Sequence, residues 1–543
     1  MFRQHARQLT LLFIVALFAR LLTAYPQQQP NYMDATYYYV NAVNLAQGRG
    51  FVEDFLWHYL NNPDPPPQPS HLYWMPLTSM LAGGSMALVG ISYRAAQLPF
   101  VLLSAMLAPL TFFVTLMLFH GRDSRQSHTV WFAWLAGLLA IFSGFYLPFW
   151  PAIDNFTPFA MSGSLALVLA YLAIDSPDQP GRYMFGSGVA VGLAHLSRAD
   201  GALLFMVIGA FHLYWLMRAR QNGSSQISGR SLFYLLLLLT GYLLILTPWL
   251  SRNWQVTGAL LPAGTQTIWL TEYNDLFSYG RELSAQTFLA QGWRTILAGR
   301  WFALTINLQR VLAEWMMIFL LPLVMVGGWR LRQHALVQLS GLYALLLFLV
   351  MTFLFTFPGA RGGLFHSAGA ILPFIYGLAL VGLNDSIDWI SARRRGWHAQ
   401  SAKYLFGGAM VLFAIALSGF VYYQRVLSGG GWNSADAHYP EIAAWIETQA
   451  NHETTIIMIN NPPAYQYHGG GLSIIIPNED VTTTMQIIER YQVDYLVLDK
   501  NHPAPLANLY QPETSHPALH LVKTFAKNSD NEIYLFEVKC PID

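Results

Sequence analysis

Long apolar runs separated by short polar, arginine-bearing stretches recur along most of this 543-residue chain. A helix that crosses a bilayer needs about 20 mostly apolar residues, somewhat fewer where the bilayer thins. Runs of that kind fall near 8–24, 96–119, 129–147, 156–174, 184–197, 201–217, 231–250, 312–329, 335–357, 367–384 and 404–423. The fifth and sixth are short and read as possible half-helices meeting at Ser197-Arg198-Ala199-Asp200. The first begins with Arg3 and Arg7, as a signal peptide does, but no small-residue cleavage site follows, so it reads as an uncleaved helix. After about residue 430 the pattern changes. Thr455–Ile459, Leu472–Ile476, Tyr495–Leu498 and Glu532–Glu537 read as strands, and Val481–Tyr491 has helical periodicity. The expected fold is an all-α polytopic membrane protein, residues 1–430, with a small C-terminal α/β domain, residues 431–543.

Positive charge sets the expected sidedness, because short loops rich in Lys and Arg stay cytoplasmic. Arg3, Arg7, Arg122, Arg125, Arg182, Arg218, Arg220, Arg230, Arg330, Arg332, Arg393, Arg394, Arg395 and Lys403 all fall on one side of the runs above. Met75–Gly90 is apolar too, but counting it as a span would put Arg122 and Arg125 outside, so it reads as an interfacial helix in the first outer loop, 25–95. About eleven spans result, in an inner (plasma) membrane, with the N-terminus inside and the tail outside. The unusual sequence then gathers on the outer side, in loops 25–95, 251–311 and 358–366 and in the tail.

Composition agrees: 54% of residues are hydrophobic and 11% charged, against about 25% charged in a soluble chain. A formal net charge of +1 supplies no global field for nucleic acid. One cysteine, Cys540, excludes an internal disulfide and a cysteine-based zinc site.

The polar residues that stand at outer boundaries are the candidates for chemistry. Asp34 lies about ten residues past the first run, among Tyr37, Tyr38, Tyr39, Asn41 and Asn44. It reads either as a general base or as an N-cap opening a helix at Ala35. Asp154 and Asn155, in W-P-A-I-D-N-F-T-P, carry the same ambiguity at the start of the fourth span. Arg198 and Asp200 between two apolar runs are costly unless paired or functional. Arg252 and Asn253 close the seventh run beside Trp249 and Trp254, where interfacial anchoring is the plainer account. Arg361 and His366 lie in F-P-G-A-R-G-G-L-F-H-S, a glycine-rich turn opening a helix, which suits phosphate through converging N–H groups and a guanidinium, or else simply joins two helices. Arg20, inside the first run, is expected to snorkel or to pair with a carboxylate. Glu53-Asp54 and Asp64 show no diagnostic metal spacing.

The order of these motifs resembles the GT-C membrane glycosyltransferases that use polyprenyl-phosphate sugars, in the branch of protein O-mannosyltransferases and lipid A aminoarabinose transferases (glycosyltransferase family 39-type). The resemblance rests on Arg20, D-A-T-Y-Y-Y-V-N-A-V-N-L-A-Q-G-R-G-F, H-L-Y-W-M-P-L-T-S-M-L, G-L-A-H-L-S-R-A-D-G-A-L-L, T-P-W-L-S-R-N-W-Q-V-T-G-A-L-L, R-G-G-L-F-H-S-A-G-A-I-L-P and Y-P-E-I-A-A-W-I-E-T-Q. It covers nearly the whole chain, although each motif alone is short. It implies interfacial helices in the first outer loop and a cavity open to lipid and to the outer compartment. Asp34 matches the catalytic acid position, Asp154 an acidic position at the next outer turn, and Arg198 a basic one. Arg361 and His366 fall where the carrier phosphate is expected. Many members carry Glu directly after the first aspartate, where this chain has Ala35.

The implied reaction is a single inverting displacement at the anomeric carbon of a lipid-phosphate sugar. Asp34 takes the acceptor's proton and arginines stabilise the leaving phosphate. The donor is a polyprenyl-phosphate sugar and the acceptor a glycan, lipid or protein, with Tyr37, Tyr38, Asn155, Arg198, Asp200, Arg252, Arg361 and His366 binding substrate. No divalent metal is expected. The competing readings are a secondary transporter or lipid flippase, which predicts interrupted helices at midplane depth in paired halves, and a polysaccharide polymerase or ligase. What separates them is whether Asp34 and the Arg361/His366 turn face one cavity.

Overall fold

The computed structural model describes residues 3–121, 126–175, 179–221, 227–261, 263–450, 454–511, 516–527 and 531–539; Arg122, Arg125 and Cys540 lie outside them. The first nine helices are α1 (Ala6–Ala24), α2 (Met33–Ala46), α3 (Leu77–Val89), α4 (Tyr93–Phe119), α5 (Gln126–Ile141), α6 (Phe156–Asp175), α7 (Pro180–Ser197), α8 (Ala202–Gln221) and α9 (Ile227–Thr257). Helices Trp293–Arg310, Leu321–Arg330, Ala335–Leu349, Leu372–Ser391 and Ala399–Tyr422 complete the body. Among the described residues seven helices are long and apolar enough to cross a membrane, and Leu77–Val89, His128–Ile141 and Ala199–Trp215 are shorter apolar ones.

Five sequence expectations need correction. The pair meeting at Arg198 are not half-helices: α7 and α8 have 18 and 20 residues, so each runs about 27–30 Å at 1.5 Å per residue. The run near 129–147 is helical only to Ile141, because Ser143 and a left-handed Gly144 (φ 61°) turn the chain. The run at 312–329 is broken by a π turn, Val311–Trp315, and by left-handed Met317 and Ile318 before Pro322 opens the next helix. Residues 293–310, read as loop, form a helix whose Arg294, Arg300 and Arg310 hid it from a search for apolar runs. Arg20 neither snorkels nor meets a carboxylate. It is buried and donates to the carbonyls of Ile141 (2.9 Å) and Ala140 (3.0 Å), which a helix end leaves without partners.

Close approach between α6 and the chain at Gly369 sets the frame of the site. A Cβ on Gly163 would lie 2.7 Å from Ala370 Cβ, and one on Gly369 would lie 2.9 Å from Ala160 Cβ. Small residues on facing surfaces let backbones pack this tightly in lipid. The Ser164 hydroxyl then donates to the Ala370 carbonyl at 2.8 Å.

The tail builds most of a six-stranded sheet ordered β2-β5-β4-β6-β8-β7. Its strands are β4 (Ile457–Ile459), β5 (Ser473–Ile475), β6 (Tyr495–Leu498), β7 (Leu519–Phe525) and β8 (Ile533–Val538); β7 was not read from the sequence. The edge strand β2 (Phe55–Leu56) comes from the first outer loop and pairs parallel with β5. Strands β1 (Val52–Glu53) and β3 (Gln68–Pro69) form a separate ribbon beside it. Tyr59 OH to the Ile475 carbonyl (2.6 Å), Tyr491 OH to the Pro63 carbonyl (2.7 Å) and Gln466 to Asp54 (2.7 Å) fasten the same loop to the tail. Loop and tail therefore stand on one side of the molecule.

Candidate active site

Asp34 stands in the first turn of α2, where its charge meets the positive end of the helix. The N-cap is Tyr32, which makes no side-chain cap, so Asp34 does not serve as the capping residue. Its carboxyl is pushed above the ordinary carboxylate range by burial, which outweighs the opposing pull of Arg198 and Arg361. Asp154 is fully buried in the turn before α6, where its Oδ1 accepts from the Asn155 amide (2.6 Å) and its Oδ2 from Tyr32 OH (2.7 Å). Burial, then the neighbouring Asp34 charge, raises its pKa as well.

Asn155 is the hub that joins three elements. Its Oδ1 accepts from Arg198 Nη1 (3.3 Å) and its Nδ2 donates to Tyr38 OH (3.2 Å). A guanidinium only donates, so the atom facing it is the amide oxygen. That oxygen lies 2.7 Å from His366 Nδ1, which must therefore carry the hydrogen. In the neutral ring Nε2 is then a pure acceptor with no N–H to offer a phosphate. The His366 ring is stacked on Phe156 with centroids 3.8 Å apart, which fixes its orientation.

Arg198 pairs with Asp200 at 2.9 Å and also donates to Ser367 (2.8 Å), while Ser367 bonds Asp200. The salt bridge expected as the plainer account is thus present, and the arginine also ties α7 to the chain after Arg361. Arg361 has a different environment. Its guanidinium lies 4.1 Å over the Tyr273 ring. Tyr273 sits in loop 263–292, which is fastened to the tail by Asn478 N–H to the Phe277 carbonyl (2.9 Å) and Tyr279 N–H to Glu479 (3.1 Å).

These groups surround one cavity of about 660 Å³. Asp34, Tyr38, Asn155, Arg198, Asp200, Arg361 and His366 all line it, and Asp154, which does not, accepts hydrogen bonds from two residues that do, Tyr32 and Asn155. Two expected residues are placed elsewhere. Tyr37 is buried with its hydroxyl accepting the His71 amide at 2.7 Å. Arg252 donates to the Ser70 carbonyl at 2.8 Å and lies 4.8 Å over Trp249, an anchoring role. Residues not found by sequence also line the cavity: Tyr32, His195, Tyr273, Arg310, Glu314 and Arg425. Arg310 donates to Glu314 at 2.7 Å, whereas Arg361 and Arg425 have no carboxylate partner among the described residues. Arg310, Glu314 and Arg425 sit where the spans were drawn wrongly or had ended, so no motif flagged them.

One cavity thus gathers carboxylates and, in Arg361 and Arg425, guanidinium groups that make no ion pair among the described residues. Asp34, Asp154 and His366 each bring a possible ligand atom within 4.8 Å of the others, a donor set that suits a divalent cation. The imidazole nitrogen 3.9 Å from Asp154 is Nδ1, already bonded to Asn155, which leaves the two carboxylates and Nε2 as the groups that could hold such an ion.

No protein-family model matches the chain, and no curated protein does. Solved structures do. The archaeal oligosaccharyltransferase AglB from Archaeoglobus fulgidus, in complex with an inhibitory peptide and a dolichol-phosphate, is 13% identical over 92% of this chain and 70% of that one, with a TM-score of 0.57. The same enzyme in complex with Zn and sulfate is 14% identical over 90% of this chain and 68% of that one, also at 0.57. ArnT from Cupriavidus metallidurans bound to undecaprenyl phosphate is 14% identical over 97% of each chain, at 0.51. With its apolar helices, the chain is a multi-pass membrane protein with the fold of the GT-C membrane glycosyltransferases.

Proposed function

We propose that this chain is an inverting glycosyltransferase that moves a sugar from a polyprenyl-phosphate carrier to an acceptor at the outer face of an inner membrane. The observation that carries the reading is that Asp34 and Arg361 line the same cavity. A displacement at an anomeric carbon needs a base on one side and a stabilised leaving group on the other, and this cavity offers both. Asp34 removes the acceptor's proton as its oxygen or nitrogen bonds to the anomeric carbon. The bond from that carbon to the phosphate oxygen breaks, and the negative charge left on the phosphate is met by Arg361 and Arg425. One in-line step inverts the centre. Asp154 and Asn155 hold the wall on which Asp34, Arg198 and His366 are arranged.

A divalent cation fits the Asp34/Asp154 pair, where it would act as a Lewis acid on the acceptor or the phosphate. Residues 1–430 form the catalytic body and 431–543 an outer domain. The bound dolichol-phosphate of AglB and undecaprenyl phosphate of ArnT favour a polyprenyl-phosphate carrier here.

The test is incubation of the purified protein in lipid with a panel of polyprenyl-phosphate sugars, following release of lipid phosphate and labelling of an acceptor extract. Release that depends on acceptor supports the reading. Donor movement across the bilayer without cleavage would replace it with a flippase.

A further inference from the structure

His366 holds an unused chemical property. Its Nδ1 is committed to Asn155 at 2.7 Å, and the amide oxygen there is identified by Arg198. In the neutral ring Nε2 is then an unprotonated acceptor, and it has no hydrogen-bond partner among the described residues. It lies 3.7 Å from the Cβ position of Gly362, directly beside Arg361 in sequence. A ring nitrogen of His366 and carboxylate oxygens of Asp34 and Asp154 lie within 4.8 Å of one another. His366 lines the same cavity as the proposed base Asp34 and the proposed phosphate contact Arg361, the space that a transferred sugar ring must occupy. A phosphate oxygen, itself an acceptor, gains nothing from this nitrogen. A hydroxyl does, because it donates.

We propose that His366 is a donor-sugar selectivity residue whose Nε2 accepts a hydrogen bond from the hydroxyl on the carbon next to the anomeric centre. That hydroxyl is the closest donor to a reaction centre held between Asp34 and Arg361. The chain accordingly takes sugars bearing a free hydroxyl there and discriminates against their deoxy counterparts. This rests on the glycosyl-transfer reading above.

Two substitutions divide the ring's functions. His366→Gln places a carbonyl oxygen near the position of Nε2 and gives up the bond to Asn155. His366→Asn keeps a donor toward Asn155 and has nothing at the position of Nε2. The measurement is the ratio of kcat/KM for a matched pair of polyprenyl-phosphate sugars, with and without that hydroxyl, within each protein. Overall loss of activity cancels in such a ratio. Wild type should prefer the hydroxylated donor by about tenfold or more, since an unfilled acceptor and a lost bond both count. The Gln variant should keep the preference and the Asn variant should fall to near unity.

The opposite order would make His366 a support for Asn155 and overturn the proposal, and so would one unchanged ratio in all three proteins. Loss in both variants with rescue by added divalent cation would put a metal on Nε2 and overturn it too. If either variant fails to fold, wild-type affinity and turnover for the donor pair decide the matter, and equality rejects the idea. Absence of lipid-phosphate release by wild type from every donor would instead sink the glycosyl-transfer reading itself.

Discussion

Arg361 and Asp34 divide the labour of the proposed site, and each makes a separate prediction. The Arg361 guanidinium is held over Tyr273 and makes no ion pair among the described residues, so Arg361→Ala should weaken donor binding with the fold intact. A charge-assisted contact of this kind contributes about 1.5–3 kcal/mol, roughly ten- to a hundredfold in affinity. Equilibrium binding of a labelled donor in nanodiscs checks it, and unchanged affinity would make the turn a connector. Asp34 acts only when ionised, and burial raises its pKa. The acid limb of kcat/KM should therefore lie clearly above pH 4, the ordinary carboxylate value of about 3.9. Stability has the opposite sign. A proton held more tightly in the folded than in the unfolded chain means that stability falls as pH rises from about 4 through the raised pKa. A limb at the ordinary value in a pH–rate profile would contradict this. Most of the site was legible at this scale, because Asp34, Asp154, Arg198 and Arg361 are polar residues where an apolar pattern has no use for them. Tyr37 and Arg252 had the same look but are satisfied by His71 and Ser70. Sequence cannot tell a filled hydrogen-bond shell from an open one.

The elements bring those residues together through close helix contacts that no hydropathy scan detects. Gly163 and Gly369 set the distance between α6, which carries Asn155 at its head, and the turn carrying His366. Gly163→Leu puts a branched side chain where the Ala370 methyl already lies 2.7 Å from the Cβ position. It should destabilise the protein by about 1–3 kcal/mol and reduce transfer further by moving His366 away from Asn155. Thermal unfolding in detergent together with turnover checks this, and a variant with wild-type behaviour in both would show that the contact is slack. Strands β4, β5, β6 and β8 and the helix Val481–Tyr491 were legible because apolar period and turn residues agree there. The helix Trp293–Arg310 and the break at Met317 were not, since the first is too polar to read as a span and the second is made by backbone conformation inside an apolar run.

At the scale of the whole molecule, the strand β2 and the bonds of Tyr59, Tyr491 and Gln466 place the tail beside the loop that contains Asp34. The arginine-rich turn Arg393–Arg395 lies one span before the tail, which predicts that tail and cavity both face away from the cytoplasm. Impermeant labelling of single cysteines in loop 25–95 and in the tail of intact cells should mark both; labelling of one without the other would break the shared placement. The central claim is that this one cavity binds a lipid-phosphate sugar and uses Asp34 to transfer it. The most direct measurement pairs donor affinity with single-turnover transfer in wild type and Asp34→Asn, the amide keeping size and shape while giving up the base. Donor affinity is predicted to hold within a fewfold while transfer falls by about 10²–10⁴-fold. Near-normal transfer by the folded Asn variant would contradict the account.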